Sequence, residues 1–388
     1  MESDGLELIG HTDLDGRGDA MGLAYSEGYL YVGHQGHNGV ATSVVDVHYP
    51  AAPRVARQIP KEEGTHSAKA AVAGGLLVVP CERDLVWQGP PFVTPVGGAD
   101  RWNPGLRIYD LTEPAAPREV GFFPTPGTGV HRMTFTDPPY VFMSASDDGY
   151  TEQFLRIVDV SDPSNPKDAG RWWYPGMWEA GGERPRFPPD RRYALHHPLI
   201  DGDLLFAGWW DAGLVVLDVG DVARPQLVAN LNWGPGRSGA THTALPLPGR
   251  DIVVVTDECI VPDCETDIEK HVRVVDVSDP YTPTVLSTLP VPAGDYCGRG
   301  GRFGPHNLAE NRPHATFATD RVYVTYFNAG LRVYDLTDPT SPREMASFVP
   351  DPAPGQPVPQ VDDVTIDPNG VIYVTDRAGG GVWILAPA

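Results

Sequence analysis

Apolar residues in this chain come in short runs that end on an aspartate and pass into a turn carrying prolines. Six segments repeat the pattern: Ser43–Asp46 before Pro50 and Pro53, Leu106–Asp110 before Pro114 and Pro117, and Leu155–Asp159 before Pro163 and Pro166. Leu214–Asp218 before Pro225, Val272–Asp276 before Pro280 and Pro283, and Leu331–Asp335 before Pro339 and Pro342 complete the set. Successive aspartates lie 64, 49, 59, 58 and 59 residues apart. Short apolar strands repeated at that period predict the four-stranded blades of a propeller, not a helical solenoid.

The turn has a physical reading. The aspartate can accept hydrogen bonds from turn N–H groups, while each proline fixes φ and removes a donor that would need a partner. A seventh unit is partial: Val371–Val374 and Gly381–Leu385 supply two strands before the chain ends. Gly5–Gly10 (GLELIG) matches the outer-strand pattern of Pro117–Gly121 (PREVG), so the N-terminus is expected to complete the last blade. Closure leaves no free sheet edge, and loss of residues 5 to 13 should destabilise the ring. With these motifs the chain resembles the LVIVD-repeat family across nearly its whole length. The resemblance implies an all-β, seven-bladed β-propeller, with residues 1–388 as one domain, and is nearly silent on function.

Composition agrees with many short strands: the 43 Gly and 41 Pro are spread along the chain, and no polar low-complexity stretch divides it. A net charge of −22 with only four lysines argues against a nucleic-acid partner, which needs clustered cations. No run of 18 apolar residues exists, so no membrane partner is expected. Met1-Glu-Ser-Asp-Gly lacks a basic start and an apolar stretch, which gives a cytoplasmic expectation. Cys259 and Cys264 can form a small loop disulfide or offer soft ligands; Cys81 and Cys297 are the others.

Candidate chemistry lies where inner strands meet one mouth of the central channel. His66, His131 and His242 each stand 10 residues before the first apolar residue of the next strand (Leu76, Val141, Ile252). Strand residues two apart share a face. Asp363 and His314 therefore keep the same parity before Val371 and Val322, His197 joins through a shorter turn, and His306 lies in the loop entering the sixth blade. Imidazole is the commonest metal ligand, so His66, His131, His197, His242 and His306 are the expected ligands of one transition metal ion, iron, copper, zinc or manganese. Glu82 and Glu258 are expected either to fix a histidine tautomer or, with Asp363, to act as general base. Insertions at 83–105, 171–193 and 292–313 bring aromatic residues to this mouth, among them Trp87, Phe92, Trp102, Trp173 and Trp178. With Trp209, Trp210, Asn307 and Arg132, they are expected to bind a small, partly aromatic or apolar molecule.

The leading functional expectation is a metal-dependent oxidoreductase, because an all-imidazole shell is neutral and leaves redox chemistry accessible. The layout is similar in architecture alone to iron-dependent carotenoid oxygenases and to the copper-dependent methanethiol oxidases of the selenium-binding group. Mixed imidazole and carboxylate ligation points instead to a metal-dependent hydrolase, lyase or hydratase. The third alternative is a non-catalytic scaffold that binds proteins on its rim. No nucleophile elbow, phosphate loop or dinucleotide fingerprint occurs.

Overall fold

The computed structural model describes every residue except 87–93, 96–102, 234–239, 263 and 265–269. Trp87, Phe92 and Trp102 therefore lie outside the described residues. Among those described, seven sheets of four or five strands form the blades of a propeller. Blade I runs outward from the channel through Ala20–Ser26, Tyr29–His34, Val40–Asp46 and Arg54–Pro60. The inner strands that follow are Thr65–His66 with Ala71–Ala73, then Val130–Thr134, His197–Asp201 and Thr241–Leu247 for blades II to V, and Val361–Ile366 for blade VII. Blade VI uses residues 306–309, whose His306 and Ala309 amides donate to the Thr325 and Tyr323 carbonyls.

The repeat aspartates do what their position predicts. Asp110, Asp159, Asp276 and Asp335 each accept the amide two residues on, at 2.7–2.8 Å. A second aspartate three residues later repeats the device: Asp162, Asp279 and Asp338 accept the amides of Ser164, Tyr281 and Thr340. Two such turns in succession reverse the chain between the third and outer strands.

The ring closes through the N-terminus. Leu6–Thr12 pairs antiparallel with Gly381–Pro387 as the outer strand of blade VII. Glu2–Asp4, which no repeat pattern marks as a strand, crosses to blade VI and pairs with Ser347–Val349. One short segment thus stitches two neighbouring blades. Seven apolar clusters fill the seven seams between blades. In the closing seam, for example, Leu23, Val32 and Val45 of blade I meet Tyr373, Val382 and Ile384 of blade VII. The apolar core is therefore distributed around the ring, and the channel at its axis is left to polar groups.

Candidate metal centre

At one mouth of the channel the inner strands are irregular. Pairing slips between Val130 and Arg132 in blade III, between Thr241 and Thr243 in blade V, and between Val361 and Val364 in blade VII. In blade IV the His196 amide donates to the Gly208 carbonyl, and His197 pairs with that same glycine. Such bulges re-aim a side chain that strict alternation would send elsewhere. The residues passed over at the slips include His131, His242, Asp362 and Asp363.

Four imidazoles from successive blades III to VI form a chain. Ring centroids are 4.6 Å apart for His131 and His196, 3.9 Å for His196 and His242, and 4.4 Å for His242 and His306. Three of the four rings have Nδ1 engaged. His131 Nδ1 meets Glu82 Oε2 at 2.6 Å, His242 Nδ1 meets Thr243 Oγ1 at 2.7 Å, and His306 Nδ1 meets the Asp362 carbonyl at 2.9 Å. With Nδ1–H donating to these oxygens, each Nε2 keeps its lone pair, the tautomer a metal needs. His131 Nε2 lies 2.9 Å from His196 Nε2. Two imidazole nitrogens each ~2.1 Å from one ion and at right angles to each other would stand ~3.0 Å apart. Glu258 reaches the same place, with Oε2 3.9 Å from His196 Nε2 and Oε1 3.7 Å from His306 Nε2. His196, His242 and Glu258 each offer one ligand atom within a 4.8 Å group.

Burial, together with the charge of Arg132, pushes His196, His242 and His306 well below the usual histidine range. They are neutral at physiological pH, as ligation requires. Arg132 lies against the cluster, with Nη2 3.3 Å from His242 Nε2 and Nη1 donating to Asn307 Oδ1 at 3.0 Å. Around the group, Arg302 donates to Glu258 at 3.1 Å, Arg377 donates to Asp362 at 3.1 Å, and the Phe327 and Trp210 rings stand 4.6 Å from His306 and 5.9 Å from His196.

Several expected residues are placed elsewhere. His197 turns away from the imidazoles toward Glu310, 3.6 Å from its Nδ1, and His196 takes the place expected of it. The bulge in blade IV decides between the two. Asp363 lies in a second polar cluster deeper in the channel, 2.8 Å from Lys69 Nζ, and accepts the Leu23 amide. It is too committed to serve as a base at the imidazoles. His66 sits 3.2 Å from Glu82 and 3.5 Å from Asp84. Burial disfavours its charge, but those two carboxylates outweigh it and raise the pKa to about 9, so it holds a proton where a ligand needs a lone pair. Glu82 correspondingly falls to about 2: His131 and His66 overcome the effect of its burial. Trp209 is wholly buried in the seam of blades III and IV, 5.1 Å from Trp172, and cannot touch a ligand. Asn307 is used up between Arg132 and the Asp362 carbonyl. Trp173 and Trp178 pack on Tyr150 and on each other. His314, of matching parity, adopts a φ of 63° in the loop before the second strand of blade VI. Sequence reasoning missed Asp362 and Phe327, which no repeat register marks. Cys264 bonds to Cys297 with Cα atoms 5.8 Å apart, and Cys259 is a buried thiol, so the pairing of Cys259 with Cys264 does not form.

The LVIVD repeat profile matches residues 17–57, 150–172, 199–232 and 320–349. This is an LVIVD-repeat, seven-bladed β-propeller. The LVIVD propeller is similar in fold to the periplasmic gluconolactonase PpgL of Pseudomonas aeruginosa, with 15% identity, coverage of 91% of this chain and 93% of that one, and a TM-score of 0.59. It is also similar to a streptogramin B lyase, with 10% identity, 99% and 97% coverage and a TM-score of 0.57. Raptor of Chaetomium thermophilum aligns with all of this chain over 30% of its own length, at 12% identity and a TM-score of 0.61. At such identities the likeness is one of fold. No curated protein sequence matches the chain. Among the described residues no helix is long and apolar enough to cross a membrane.

Proposed function

We propose that this propeller is a metal-dependent enzyme whose ion lies among His196, His242 and Glu258 with His131 and His306 beside them, and that it works as a hydrolase or lyase on a small molecule. The observation that carries the reading is that His196, His242 and Glu258 each bring one ligand atom into a 4.8 Å group, with the His242 ring oriented through Nδ1 by Thr243. A divalent ion bound there supplies a Lewis acid and an acidified water. Glu258, held by Arg302 at the edge of the group, is placed to ligate or to take a proton. Glu82 orients His131. Trp210 and Phe327 supply apolar walls beside the imidazoles, and Trp173 and Trp178 belong to the aromatic rim. Mixed imidazole and carboxylate donors suit zinc or manganese and non-redox chemistry, the class to which the gluconolactonase and the lyase of like fold belong by name.

Metal analysis of protein purified without a histidine tag tests this. We expect about one ion per chain, lost in His242→Ala and in Glu258→Gln, and turnover of a panel of lactones and small esters that stops on chelation and returns with zinc or manganese. Protein that holds no ion, with no loss in either variant, would leave the fold as a binding scaffold. The unbroken run of four imidazoles favours one second reading, an oxidoreductase using iron or copper. A coloured or paramagnetic ion in the purified protein would select it.

A further inference from the structure

The ion pairs inside the channel leave one guanidinium with no carboxylate against it. The deeper cluster holds Lys69, Arg312, Glu310 and Asp363: Lys69 pairs with Asp363 at 2.8 Å and Glu310 at 3.6 Å, and Arg312 pairs with the same two acids at 3.6 and 2.8 Å. Two cations there match two carboxylates. Glu258 is paired with Arg302, Asp362 with Arg377, and Glu82 lies against His66 and His131. Arg132 remains. Its side chain is 2% exposed, its described hydrogen-bond partners are both neutral (Asn307 Oδ1 and His242 Nε2), and its Nε has none.

A buried guanidinium with no acid in contact is costly, and a divalent cation lodged beside the His242 ring would add charge of the same sign. Glu258 offsets one charge and already faces Arg302. Occupancy by metal therefore calls for a further anion in the same cup. Arg132 presents Nε unoccupied and Nη2 turned toward the imidazoles, the edge of a guanidinium that takes a planar carboxylate through two parallel hydrogen bonds.

We propose that the cup binds its metal together with a small carboxylate, held by Arg132 on one side and by the ion on the other, and that the substrate of the site carries such a group. The inference rests on the metal reading above and adds the ligand class. It makes Arg132 a specificity-determining residue. It also makes anion and metal affinities mutually dependent, since each ligand must raise the affinity of the other by the same factor.

The test is a calorimetric titration of chelator-treated full-length protein with Co²⁺, alone and in saturating acetate or formate, with inorganic phosphate as a second anion and the Co²⁺ absorption bands as an independent readout. Acetate and formate are expected to tighten Co²⁺ binding by about tenfold or more, and phosphate by less. In Arg132→Gln the anion effect should vanish while Co²⁺ still binds, and Arg132→Lys should keep part of it. Co²⁺ binding of equal strength with and without every anion overturns this inference and leaves the metal reading intact, as does an undiminished carboxylate effect in Arg132→Gln. A larger effect of phosphate than of acetate overturns the carboxylate assignment. No binding of Co²⁺ or Zn²⁺ under any condition removes the metal reading and this inference with it. If Arg132→Gln does not fold, the wild-type titrations decide alone.

Discussion

Single side chains act here through what they hold in place. Glu82 bridges His66 and His131, 3.2 and 2.6 Å from their nitrogens, and so sets the tautomer of one ring with the charge of another. Glu82→Gln is expected to keep the fold and lower metal affinity about 10- to 100-fold, read by competition against a chelating dye. The turn aspartates make a different prediction. Hydrogen bonds from Thr112, Ser278 and Thr337 hold Asp110, Asp276 and Asp335 below the ordinary value of 3.8. A carboxylate whose folded pKa is depressed adds stability above its unfolded pKa and loses it as pH falls through the folded one. The urea midpoint should therefore be flat near neutrality and drop below about pH 4, with a smaller drop in a variant carrying Asn at all three positions.

Strands and turns carry a second repeated device that the motif alone does not reveal. Outer strands bulge at a glycine pressed on the turn of the next blade: a Cβ on Gly10 would stand 2.0 Å from the Pro50 carbonyl oxygen, on Gly121 1.8 Å from that of Pro163, and on Gly170 1.8 Å from that of Val222. Blade V places Ser287 at the equivalent position, and its hydroxyl donates to the Pro339 carbonyl at 2.6 Å. At the three glycine seams the spacing is thus gauged by backbone contact, with no room for a side chain. Gly121→Val should force blades II and III apart at their outer edge and cost about 1–3 kcal/mol, measurable by urea unfolding. The bulges of the inner strands do chemical work in the same manner, since they set His131, His196 and His242 against one another.

Across the whole ring, stability depends on closure. The first residues pair with blade VI and the next with blade VII, and Leu6 adds to the apolar cluster between those two blades. Removing residues 2–12 exposes the edge of Gly381–Pro387 and part of that cluster, so the truncated protein should unfold at lower urea and self-associate through the open strand. Removing residues 2–4 alone should leave a monodisperse protein with a small loss, because Glu2–Asp4 is exposed throughout. Size-exclusion chromatography and urea titration of both truncations distinguish the two contributions.

The number of blades, the turn chemistry and the closing strand were legible from residue order because each depends on neighbours in sequence: a strand length, an aspartate two residues from the amide it accepts, a proline that ends a run. The mouth at which the imidazoles gather was legible in part, since His131 and His242 stand at one register. Tertiary structure alone decided that His196 and not His197 joins the ring, that Asp363 serves Lys69, that His66 keeps its proton, and that Cys264 pairs with Cys297. Those outcomes depend on bulges that break the two-residue alternation, and on charges and thiols brought together from distant parts of the ring. No single strand carries that information, because the field at the axis is the sum over all the blades that face it.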